Sequence, residues 1–179
     1  MKKFEQEKLI EVVLYILNAT KGLDFYHVFK ILYFAERDHL KLWGDRITDD
    51  DFIRMTYGPV PTHLYGAVEN KKSFEPDLSL KFENAIKFAG EDAPNVLLAQ
   101  RHADMDYLSE SDIECLDRAI KENSDLTFDE LFNKSHDSAY LAASYLGIIK
   151  PADMARAAGA NQTMIDFIEE QIQVDKALA

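Results

Sequence analysis

Apolar positions recur at helical spacing from the first residues of the chain. Leu9, Ile10, Val12, Val13, Leu14, Ile16 and Leu17 give residues 5–20 a broad apolar face, which predicts an amphipathic helix. Lys21-Gly22-Leu23 breaks it. Asp24 then stands where an N-cap belongs, with Leu23 and Val28 placed as a hydrophobic staple. The next helix runs to about Trp43 and stops at Gly44, a C′ glycine. Val28, Ile31, Leu32, Ala35 and Leu42 are its expected core positions, with Tyr33, Glu36, Arg37 and His39 spread over the other faces.

The pattern then changes. "ITDDDFIRMTYG" sets β-branched and aromatic residues after a turn-like aspartate run and predicts a short strand at about 52–57. Thr62 reads as the cap of a short helix carrying Leu64, Tyr65, Ala67 and Val68, followed by a polar loop at 71–79. "ENAIKFAGEDAPNVLLAQRHA" predicts two strands, roughly 83–89 and 95–103, around a Gly/Pro turn. With 52–57 they make up a small sheet. The remainder is helical. Ser109 with Asp112 forms a near capping box, and Thr127 with Glu130 a full one with a Leu126/Leu131 staple. "SHDSAYLAASYLG" starts a further helix ending at Gly147, Pro151 opens the next, and the last spans about 161–177. The expected fold is mainly α (α+β): one helical domain over 1–179 with a small antiparallel sheet of two or three strands. Its C-terminal helical hairpin, about 151–177, adds an extra layer.

Composition narrows the function classes. The chain has 179 residues, 47% of them hydrophobic, enough for one domain with a self-sufficient core. Its one cysteine, Cys115, lies between Ile113 and Leu116 and reads as a buried structural thiol. The charged N-terminus is no signal peptide, and the apolar runs fall far short of the ~18–20 residues a membrane span needs. The expected location is the cytoplasm. The net charge of −12 disfavours autonomous nucleic-acid binding and suits basic protein partners. The run Asp49-Asp50-Asp51 reads as a solvated acidic face.

No catalytic or metal motif emerges. The histidines, His27, His39, His63, His102 and His136, lack the paired spacing of a zincin, and the chain has no Walker loop, dinucleotide fingerprint or nucleophile elbow. Neither a metal, a cofactor nor an enzymatic activity is expected. "ADMARAAGANQTMI" has the small residue, turn glycine and aliphatic of a helix-turn-helix. The helix that would enter the groove carries Asp166, Glu169 and Glu170 and no cation, so a packed hairpin is the better reading. In "SHDSAY", His136 and Asp137 stand at a helix start, where both can cap; a polar pair that touches a partner is the functional alternative. "YGPVP" is conformationally stiff, because Pro59 and Pro61 fix φ, and Tyr57 and Tyr65 flank it. It is either an aromatic-rimmed recognition corner or a joint that sets a strand against a helix.

"FKILYFAERDHLKLWGDRITDDDFIRMTYGPVPTHLY" (29–65) closely resembles the signature of SocA-like, Panacea-domain proteins, also described as phage-associated GepA-like. "LSESDIECLD" and "SHDSAY" resemble its downstream segments, and "MARAAGANQTMIDFIEEQ" a tail found in part of the family. Tyr140 departs from the pattern, which usually has tryptophan there; the swap keeps an aromatic ring and adds a hydroxyl.

The resemblance implies an antitoxin that neutralises a toxin, encoded by an adjacent gene, through direct protein binding. No catalytic residue comes with it. A proteolytic adaptor or a mobile-element accessory protein without a toxin is the alternative, and a hydrolase built on His136 and Asp137 a third class. The expected partner-binding residues are Tyr33, Glu36 and His39 on the signature helix, Tyr57, Pro59 and Pro61 on the corner, and His136.

Overall fold

The computed structural model describes residues 1–70 and 75–178. The fold is mainly α with a small antiparallel β component. Its axis is α2 (Phe25–Trp43), capped at one end by Asp24, whose carboxylate accepts from His27 N, and closed at the other by Gly44 in the left-handed region. α1 (Lys3–Thr20) lies beside it. Nearly every side of α2 is covered, chiefly by α5 (Glu110–Asn123) and α8 (Pro151–Ala157), and also by α6 (Phe128–Ser135). This is why Tyr33, Glu36 and His39, expected on outer faces, are buried, while Leu42, expected in the core, is exposed. In the last turn of α2 Leu40 and Gly44 stay covered, with Phe167 and Met164 close to Gly44, while Leu42 and Trp43 are exposed on the other side.

The β structure forms two separate sheets among the described residues, not the single one expected. β1 (Leu23–Asp24), β5 (Val96–Ala99) and β4 (Ile86–Phe88) make one, in that order. β2 (Phe52–Met55) and β3 (Gly58–Pro61) make the other, a tight hairpin with Met55 opposite Gly58. The prolines fit because Pro59 turns its carbonyl away from β2, toward Lys30; its missing N–H faces the same side, and Pro61 shares that edge. The segment after α7 (Ser138–Ala142) runs antiparallel along the other edge of β2, with Arg54 N donating to Gly147 O and Ile149 N to Phe52 O.

Two further expectations change. Residues 76–85 form a helix, α4 (Pro76–Ala85), with proline at its first turn, where a polar loop and a strand start were expected; the rest of that loop, 71–74, lies outside the described residues. The helix beginning at "SHDSAY" ends at Ala142, not Gly147. α3 (Thr62–Val68) follows β3, and α9 (Gln162–Leu178) follows α8 and packs on it. The capping boxes at Ser109 and Thr127 form as read.

Candidate functional site: an aromatic ridge at the hairpin tip

The signature helix supplies anchors. Tyr33 is fully buried and its hydroxyl donates to both carboxylate oxygens of Asp137, at 3.1 and 3.0 Å. Arg37 Nη1 donates to the same carboxylate at 2.6 Å and Nη2 to Ala157 O at 3.1 Å, so one cluster ties α2 to α7 and α8. Asp137 also caps α7, accepting from Ala139 N and Tyr140 N. Glu36 accepts from Ile47 N, Thr48 N and Thr48 Oγ1, which pins the loop before the hairpin. Burial still pushes its carboxyl up to about 7. His39 donates from Nδ1 to Asp45 O, with Nε2 facing Ser111 Oγ. The expectation that Tyr33, Glu36 and His39 touch a partner is therefore corrected: their polar atoms are consumed inside the fold.

Pro59 and Pro61 are buried as well, as a strand laid on α2. Lys30, which the sequence reading passed over, explains how. Its ammonium is fully buried, donates to Pro59 O at 2.9 Å and lies 4.5 Å from the centre of the Tyr26 ring. Desolvation lowers its pKa to about 7. Gly58, at φ +107°, lets the backbone descend onto this lysine; a Cβ there would stand 2.9 Å from Lys30 Nζ and 2.8 Å from Ser135 Oγ.

The hairpin thus has a rigid base and presents Tyr57, 61% exposed, at its tip. Tyr57 meets Phe128 edge-on at 5.9 Å, and Phe128 stacks on Tyr26 at 4.5 Å. The row continues through Phe132, His136 and Tyr140, with ring centres 6.2, 3.8 and 4.2 Å apart in turn. His136 is half-buried in this row and donates from Nδ1 to Phe132 O. Of the expected site residues, Tyr57 and His136 belong to one feature, and the other five lie beneath or behind it. The hydroxyl of Tyr140 donates to Met55 O at 2.9 Å, so the departure at this position is used to hold the hairpin. Arg54 sits 4.7 Å over the Tyr140 ring and donates to Ala143 O.

Beside the ridge, Leu141 in α7 and Tyr145, Leu146 and Ile148 in the loop after it are each exposed by more than half. Tyr145 Oη approaches Thr56 Oγ1 at 3.5 Å, joining loop and hairpin tip. Leu146 holds φ +60°, a conformation that costs a non-glycine residue roughly 1–2 kcal/mol. The sequence pattern places Leu141, Tyr145 and Leu146 in a helix ending at Gly147; the structure ends that helix at Ala142 and leaves Tyr145 and Leu146 on an exposed loop.

The described helices thus form a scaffold that displays Tyr57 and Phe128 beside a hairpin fastened at its base. The family model described as "Antitoxin SocA-like, Panacea domain" matches residues 28–140, more than half of the chain, and the chain belongs to this family of antitoxin-like proteins. Neither the curated proteins nor the solved structures give a match. No described helix is long and apolar enough to cross a membrane.

Proposed function

We propose that this chain is a cytoplasmic antitoxin that neutralises a cognate toxin by stoichiometric, direct binding, and that it docks through the aromatic ridge led by Tyr57. Family membership supports the antitoxin role. The observation that carries the docking face is the exposure of Tyr57 on a base fastened by Lys30, Tyr140 and Arg54. A side chain that is both exposed and rigidly held loses little entropy when bound. A binding role, not an enzymatic one, also fits the commitment of the Asp137 carboxylate to four internal donor groups.

The test is growth of cells expressing the neighbouring open reading frame, alone and with this protein. Arrest relieved by the wild type is the expected result. Tyr57→Ala should weaken the complex by about 2 kcal/mol, roughly thirtyfold, and reduce rescue without changing the melting temperature. Full rescue by that variant would move the docking face elsewhere. A harmless neighbour would remove the toxin and favour an adaptor or a mobile-element accessory protein.

A further inference from the structure

We infer that the segment seated on this face is basic and apolar, with an arginine or lysine over the Tyr57 and Phe128 rings and apolar side chains against Leu141 and the 143–148 loop. The inference rests on the ridge being the docking face and concerns what it accepts. The first ground is charge. The cations nearest the ridge are engaged within the chain: Lys30 by Pro59 O, Arg54 by Ala143 O, and Lys134 by Asn123 Oδ1. Two exposed carboxylates flank Phe128, Asp125 in the turn before α6 and Asp129 in its first turn, and neither has an ion-pair partner among the described residues. Burial, then the negative charge of Asp24 and last that of Asp129, push the neighbouring Tyr26 hydroxyl up to about 12. Exposed aromatic faces beside unpaired carboxylates accept a guanidinium or ammonium twice over, through the ring quadrupole and through the ion pair.

The second ground is the apolar half of the face. Tyr145 and Leu146 present uncovered side chains next to the hairpin tip, on backbone bonded to β2. An exposed patch of this kind on a fixed backbone marks a contact surface. Lys150 is exposed at the far end of the loop, which runs beside the start of β2, where Asp49 and Asp51 pair with Arg46. The unpaired carboxylates of Asp125 and Asp129 orient the segment, cation toward α6.

Isotope-labelled full-length protein titrated with a short peptide of alternating arginine and leucine tests this, beside the same peptide with glutamate for arginine. Amide shifts are expected at 56–58, 125–129 and 144–148, with the arginine peptide bound at least about tenfold tighter and more weakly as salt is raised. The Asp125→Asn, Asp129→Asn double variant should lose about tenfold in affinity and most of the salt dependence, with its other resonances unmoved. Tyr145→Ser should weaken the peptide while leaving the salt dependence. Equal affinity for the two peptides, shifts centred on Trp43 and Phe167, or no shifts at all overturn the inference. The experiment contains no toxin. Its failure with growth rescue intact removes the basic segment alone; loss of rescue with peptide binding intact removes the antitoxin reading alone.

Discussion

Lys30 and Glu36 are fully buried on α2, and they pull stability in opposite directions with pH. Lys30 titrates near 7 in the fold and near 10.5 in an unfolded chain. Between those values the unfolded chain holds a proton that the folded one has released, so stability rises with pH. Glu36 is raised from 4.5 to about 7, so the folded chain holds the extra proton and stability falls as pH rises through that window. Together they place a minimum in stability near neutrality. Lys30→Met should abolish the alkaline rise and add on the order of 1–3 kcal/mol at neutral pH, because the desolvation cost it removes exceeds the bond to Pro59 it loses. Urea unfolding across the pH range checks this. An unchanged alkaline slope in the variant would show that Lys30 is not its source.

At the scale of elements, α3 depends on a residue outside it. Asp50 is 1% exposed; its carboxylate accepts from His63 N, Leu64 N and Thr62 Oγ1. The aspartate run that reads as solvated therefore contains the cap of α3, where the sequence pattern points to Thr62, and it fixes the direction in which the chain leaves the hairpin. Asp50→Ala should cost about 2–4 kcal/mol, a lost cap plus buried donors left unpaired. Hydrogen exchange should show His63 and Leu64 amides losing protection before the rest of the domain. Protection equal to wild type at both amides would mean that water or another group replaces the carboxylate.

Over the whole molecule, stability and recognition occupy different regions. The core is built around α2, and α9 contributes to it through Ile165 and Ile168, near its start. Beyond them Val174 and Leu178 are exposed. Deleting residues 174–179 should therefore shift the melting temperature by less than about 2 °C. A larger loss in scanning calorimetry would assign the end of α9 a structural contact. The ridge lies on the opposite side of this division, with its hairpin fixed to α2 and to the segment after α7.

What the sequence by itself determined were the local features. The caps at Asp24, Ser109 and Thr127, the stop at Gly44 and the start at Pro151 each depend on residues within one helical turn, so their signals lie within a few positions. The mainly helical class and the family signature were legible for the same reason. Only the tertiary structure decided which signature residues face outward. Lys30 meets Pro59 across 29 positions and Tyr33 meets Asp137 across 104, and a hydrogen bond between such distant residues leaves no trace in local periodicity. An aromatic residue on a helix reads the same whether solvent or another helix covers it. Tyr33 and Tyr57 are both tyrosines of the signature; Phe52 of β2 and the Asp137 carboxylate lie against the first, which is buried, and the hairpin turn exposes the second.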